Sequence, residues 1–228
     1  MYVVIVGAGR IGYNLARILI QGGNEVTLIE KDERRVREVG SLDAYVLHGL
    51  GTNPAALESL NIETADAIVA VTGDDSVNLT SCLISKRIVA RHGRDEERSF
   101  MTVARVSTPE MEKTFQELGI DRVISPEKAA AEYISRLIRS PGVEDVTAMG
   151  QAEMLELNID EDSPVIGKTL AEVSAMGDMS TSTVVAVIED GDVIIPHGDT
   201  TLKAGMRVLL FTMIEESRKA RNLFLGER

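Results

Sequence analysis

A chain of 228 residues, 44% of them apolar, has room for one large domain or two small ones around a full core, which excludes a disordered or fibrous protein. Its 36 acidic and 24 basic side chains leave a net charge of −12, and no basic run inverts that field locally, so nucleic acid and anionic lipid are excluded as expected partners. The single cysteine, Cys82, excludes an intramolecular disulfide and a cysteine-rich metal site and fits a reducing cytoplasm.

The apolar run Tyr2–Val6 has the composition of a buried parallel strand, and its start at residue 2 leaves no room for a basic leader. Gly7–Gly12 is a glycine-rich turn, Ile11–Ile20 has helical spacing, and Gly22-Gly23 ends that helix. Val26–Ile29 is a second strand, Asp32–Val39 a polar helix and Ala44–Leu47 a third strand. Asn53-Pro54 opens another helix. Ala67–Val71 is a fourth strand, followed by a helix that Asp74 or Asp75 can cap, and Arg91–Ser99 is a charged loop. Met101–Val106 is a fifth strand, Pro109–Leu118 a helix, Arg122–Ile124 a sixth strand and Pro126–Arg139 a last helix.

Strands alternating with helices in this way predict an α/β fold, a Rossmann-type doubly wound parallel six-stranded sheet over residues 1–140. Ser140-Pro141-Gly142 breaks the pattern, and residues 141–152 read as a linker. Residues 153–228 read as a second, small α+β domain: a strand Glu153–Ile159, a helix Val165–Val173, a hairpin of Thr183–Ile188 and Val193–Ile195 around Glu189-Asp190-Gly191-Asp192, a strand Arg207–Thr212 and a helix Glu215–Leu225. No apolar stretch approaches the roughly 20 residues that span a bilayer.

Gly7-Ala8-Gly9-Arg10-Ile11-Gly12 is G-x-G-x-x-G between a strand and a helix, with the acid Glu30 at the end of the next strand, which is the context a dinucleotide fingerprint requires. Gly7 permits the tight turn, Gly9 lets a pyrophosphate approach the backbone, and Gly12 allows the helix to pack on the strand. The helix start offers N–H groups and a positive dipole end to an anion. Arg10 in that first turn opposes the dipole unless an anion sits beside it. Glu30 can accept both ribose hydroxyls, which favours NAD over a 2′-phosphorylated cofactor. Thr72, Gly73 and Arg105 stand at the carboxyl ends of the fourth and fifth strands, the edge where such sheets bind ligands.

Catalytic machinery is absent from the pattern. The three histidines, His48, His92 and His197, are not paired with a carboxylate in a recognisable motif, and neither metal-ligand spacing nor a nucleophile motif occurs. Ala129, Ala130, Ala131, Tyr133, Ile134, Leu137 and Ile138 make the helix Pro126–Arg139 apolar over most of its surface. Either a second subunit or the C-terminal domain covers its outer side.

The order of Gly7–Gly12, Glu30, His48-Gly49-Leu50-Gly51-Thr52, Ala67–Asp75 with Asn78-Leu79, Ala104-Arg105 and Val123–Pro126 resembles the N-terminal domain of the TrkA family, of the RCK class. Val165–Leu170, Ile195-Pro196, Gly198-Asp199-Thr200 and Leu202–Gly205 resemble its C-terminal domain. The resemblance implies a cytosolic regulator, peripheral to the inner face of the membrane, that binds NAD(H) or ATP/ADP and gates an integral membrane potassium-translocating subunit of Trk/Ktr type. It also implies a homodimer or larger, with contact through the helix Pro126–Arg139. The ligand residues it implies are Gly7, Gly9, Arg10, Ile11, Gly12, Glu30, Thr72, Gly73 and Arg105. Two departures stand out: Leu50 where the family usually has an acid, and Gly205-Met206-Arg207 where it often has Gly-Asp-Arg. A small NAD-dependent oxidoreductase and a nucleotide sensor for another transporter are the competing readings.

Overall fold

The computed structural model describes residues 1–93, 99–139, 143–177 and 179–226. The chain forms two compact units, Met1–Ala129 and Ala130–Arg228. The middle of the expected loop Arg91–Ser99 and the expected break at Ser140-Pro141-Gly142 lie outside the described residues.

The first unit is the expected parallel sheet. Its strands are β1 (Tyr2–Val6), β2 (Glu25–Glu30), β3 (Tyr45–His48), β4 (Ala67–Ala70), β5 (Met101–Arg105) and β6 (Arg122–Ile124), in the order β3-β2-β1-β4-β5-β6. Helices α1 (Arg10–Gln21), α2 (Glu33–Val39), α3 (Pro54–Ser59), α4 (Asp75–Arg91) and α5 (Met111–Glu117) connect them, and α6 (Pro126–Arg139) begins in this unit and continues into the second. The unbroken apolar run of β1 is needed because both faces are covered: Val3 and Ile5 pack in one core cluster with Ala16 of α1, Val4 and Val6 in the other with Cys82 and Ile88 of α4. Buried among these groups, the Cys82 thiol is pushed up to about 12 and stays neutral.

Local chemistry sets the helix starts. The Asn53 side chain accepts the Ala55 N–H at 3.0 Å and Pro54 takes the first position of α3. Of the two acids before α4, Asp74 is the cap, its carboxylate accepting the N–H groups of Ser76 and Val77 at 2.9 and 3.2 Å. Asp75 instead accepts the Ser107 N–H at 3.0 Å, tying the turn after β5 to the start of α4.

The second unit is built on an antiparallel sheet in the order β10-β9-β11-β8-β7. Its strands are β7 (Val143–Met149), β8 (Ala152–Asn158), β9 (Ser182–Glu189), β10 (Asp192–Ile194) and β11 (Arg207–Met213), with helices α7 (Leu170–Met176) and α8 (Ser217–Leu225). β7 occupies residues expected to be a linker. It pairs with β8 and buries Val146 alone, so an edge strand forms from residues with too few apolar anchors to announce it. The helix expected to begin at Val165 begins at Leu170, where Thr169 and Glu172 form a capping box; Gly167, at φ +72°, ends the preceding turn. The Asp190-Gly191 hairpin has positive φ at both residues, 53° and 92°, as a tight two-residue turn requires.

Candidate functional site

The strand order reverses between β1 and β4, and the crevice beyond the carboxyl ends of the strands opens there. A cavity of about 700 Å³ occupies it, in the size range of small-molecule sites. Of the residues proposed from sequence, Gly7, Gly9, Arg10, Ile11, Glu30, Thr72, Gly73 and Arg105 all line it. Gly12 does not. A Cβ there would lie 1.9 Å from the Gly7 carbonyl oxygen, so the packing of α1 against the glycine turn requires Gly12.

The glycine turn is shaped by its neighbours. Gly7 sits at φ +100° and donates its N–H to the Ile29 carbonyl at 2.8 Å, closing the turn onto β2. Gly9 caps α1 without any side-chain hydrogen bond, and the first intrahelical bond runs from the Tyr13 N–H to the Gly9 carbonyl at 2.8 Å. The N–H groups of the first turn therefore precede any acceptor of their own helix and face the crevice. No acid stands in that turn.

Glu30 has a structural role that its position in the sequence does not announce. It is only 5% exposed, and both oxygens are engaged by backbone: Oε2 accepts the Ala8 N–H at 2.7 Å and Oε1 the Asp32 N–H at 2.9 Å. Its carboxylate thus pins the glycine turn to the end of β2, and only the remaining lone pairs are available to hydroxyls of a ligand. Thr72 is likewise held from within. Its hydroxyl lies 2.7 Å from Asn78 Oδ1, and its N–H donates to the same oxygen at 2.9 Å. Fully buried Asn78 also donates to the carbonyls of Thr72 and Arg105, at 3.1 and 3.0 Å, stitching the ends of β4 and β5 together. Arg105 is ion-paired to Glu127 in the first turn of α6, at 2.7 Å.

The lining holds four cations, Arg10, Lys31, Arg35 and Arg105, against three carboxylates. Each carboxylate is already engaged: Glu30 by amides, Glu127 by Arg105, and Asp74 by its cap. Hydrogen bonds from the Ser76 hydroxyl and the Val77 amide hold the Asp74 carboxyl below its usual range. Among the described residues Arg10 and Arg35 have no acidic partner, so a chain of net charge −12 keeps a local positive field here. Arg35 and Glu127 were not anticipated from sequence. Leu50 lines the cavity 55% exposed, an apolar face where the family usually carries an acid. Beside it, Gly51 is a packing requirement, since a Cβ there would lie 2.3 Å from Val6 Cγ1. Among the described residues no group of three or more His, Cys, Asp or Glu could hold a metal ion, and no helix is long and apolar enough to cross a membrane.

A Rossmann-type unit with a glycine-turn cavity, joined in one chain to a small antiparallel unit, defines a two-domain protein of the RCK fold class. Residues 3–126 match the TrkA-N domain model and residues 154–225 the TrkA-C domain model, and the chain belongs to the TrkA family. The Trk system potassium uptake protein TrkA homolog of Methanothermobacter thermautotrophicus is 40% identical over 229 residues, covering 99% of this chain and 100% of that one. The homolog of Pyrococcus abyssi is 35% identical over 219 residues, covering 92% of each. Among solved structures, the GsuK channel bound to NAD superposes with a TM-score of 0.66 at 19% identity, over 99% of this chain and 39% of that one. A GsuK structure bound to ADP superposes with a TM-score of 0.51 at 18% identity, over 61% and 34%.

Proposed function

We propose that this chain binds an adenine nucleotide, NAD(H) or ATP/ADP, through Gly7, Gly9, Arg10, Ile11, Glu30, Thr72, Gly73 and Arg105. Occupancy then regulates a membrane-embedded potassium-translocating subunit from its cytoplasmic side. The observation that carries the reading is the meeting, in one cavity, of the open N-terminus of α1, a side-chain-free approach at Gly9 and cations without acidic partners. An anion is the ligand that such a set of groups suits. Membership in a family whose relatives are named for potassium uptake supports the regulatory role.

The chain acts on its ligand by binding and not by chemistry. Among the described residues the cavity lining contains no histidine, tyrosine or cysteine, and its carboxylates are engaged as described, which leaves Lys31 as a titratable donor with no carboxylate free to act beside it and favours binding over chemistry. It works as a homodimer or larger, using the outer face of α6, where Tyr133, Ile134 and Ile138 are exposed. A ligand can move such an assembly only by binding one arrangement better than another.

Calorimetry with NADH, NAD, ATP and ADP tests the binding, and no heat with any of the four on folded protein sinks it. Co-purification of a potassium-translocating membrane protein with the tagged chain tests the regulatory role. NADH oxidation faster than about 1 s⁻¹ with a ketone, aldehyde or quinone, the low end for ordinary enzymes, would favour an oxidoreductase instead.

A further inference from the structure

α2 carries three arginines within four positions, and they are not equivalent. Arg34 pairs with Glu38 at 3.1 Å and Arg37 with Glu33 at 2.7 Å, each one helical turn away. Lys31 and Val39, four residues from Arg35, are not acidic, and the two acids three residues away are engaged elsewhere: Asp32 accepts the Arg34 N–H and Glu38 pairs with Arg34. Arg35 accordingly has no ion pair among the described residues, and its side chain extends into the lining of the cavity. A methyl group placed on Gly9 would lie 3.7 Å from Arg35 Nη1. The guanidinium therefore stands beside the bare backbone of Gly9, in the lining of the same cavity.

We infer that Arg35 is a phosphate-binding residue of this site, meeting the pyrophosphate of a bound nucleotide beside the Gly9 backbone. The inference rests on the nucleotide-binding reading above and names a contact that the glycine motif does not include. The chemistry fits. An anion seated on the Gly9 backbone is within reach of both the amides that open α1 and a planar, permanently charged donor fork. An unpaired arginine loses no internal ion pair by turning to a ligand. Glu30 forms no ion pair with it among the described residues, its two oxygens each accepting a backbone N–H. The ligand class that uses such a clamp has at least two linked phosphates, as in ADP, ATP and NADH.

The test is calorimetry of the full chain with ADP, NADH and NADPH, on wild type, Arg35→Ala, Arg35→Lys and Arg34→Ala. Arg35 is exposed and unpaired, so its variants are expected to fold, and circular dichroism confirms that each has. Arg35→Ala should weaken ADP and NADH about tenfold or more, the loss of one charge-assisted contact to phosphate. Arg35→Lys should recover part of that affinity, and Arg34→Ala should match wild type. The affinity of wild type for ADP should fall more steeply with salt than that of Arg35→Ala. Equal affinity of wild type and Arg35→Ala for ADP overturns the inference and leaves the nucleotide site standing. A loss confined to NADPH also overturns it, by moving Arg35 to the 2′-phosphate. Failure of wild type to bind any of the three removes the nucleotide site and this contact with it.

Discussion

The carboxylate of Glu30 and the backbone N–H of Ala8 lie 2.7 Å apart, and this bond joins the end of β2 to the middle of the glycine turn. With the Asp32 N–H on the other oxygen, the acid of the fingerprint acts first as a structural clamp. The cavity is shaped by that clamp before any ligand arrives.

The first prediction concerns this clamp. Glu30→Ala strands two backbone N–H groups, one of them buried, and should cost about 2–5 kcal/mol of stability, summed over two lost bonds to a charged acceptor. Urea unfolding measures it. Affinity for NADH and ATP should fall together, because the turn that both use is released. An unchanged urea midpoint with a selective loss of NADH would return Glu30 to a ribose-reading role alone.

The three fingerprint glycines separate in a second experiment. Gly12→Ala drives a methyl to 1.9 Å from the Gly7 carbonyl, so backbone must move, and a loss of about 1–3 kcal/mol or more is expected from overpacking. Gly9→Ala meets only Arg35 at 3.7 Å, and Gly9 has φ −68°, so the variant should melt like wild type. Its methyl nevertheless stands where a phosphate must approach, and nucleotide affinity should drop. A Gly9→Ala protein that binds ADP as wild type does would show that the ligand does not use this backbone.

Asp121 supplies a pH-dependent term. Partial burial pushes its carboxyl up, but hydrogen bonds from Lys86 and from the hydroxyl and amide of Thr102 outweigh that and hold it below the ordinary value. A carboxyl depressed in the folded state stabilises above its unfolded pKa of about 3.9, and the contribution fades as pH falls toward the folded value. The melting-temperature gap between wild type and Asp121→Asn should therefore be constant from pH 7 to about 5 and shrink below about 4. A gap that stays constant to pH 3 would refute the assignment.

Periodicity and glycine placement made the parallel sheet legible, because strands buried on both faces leave unbroken apolar runs such as Tyr2–Val6. The glycine turn and the strand-end residues were legible for the same reason: a motif contiguous in sequence, or set at strand ends, keeps its place in space. Arg35 and Glu127 were not, since they reach the cavity from α2 and α6 and only the folded packing brings them there. The sequence alone did not single out Arg35, because Asp32 and Glu38 stand three residues away and only the structure shows both engaged with Arg34. The role of Glu30 was hidden because hydrogen bonds to backbone amides leave no trace in residue type.

The last prediction concerns α6. Ile134 and Ile138 stand one turn apart and are 55% and 74% exposed, with Tyr133 at 41% beside them. An apolar stripe of this kind is costly to leave in water on a helix whose other positions carry Glu127, Lys128 and Glu132. Covering it with the same helix of a second copy buries both isoleucines twice, once in each subunit, as a twofold contact requires. Each buried isoleucine contributes about 1.5–3 kcal/mol, so replacing both by Asp should raise the dissociation constant by well over a hundredfold. Because both side chains are exposed within a single chain, the doubly substituted protein should keep the fold, with circular dichroism like that of wild type. Light scattering at micromolar concentration should then read a monomer for the variant and a dimer or larger for wild type. Wild-type protein that remains monomeric with and without nucleotide would remove this interface, and with it the means by which ligand occupancy in one chain is passed to its neighbours.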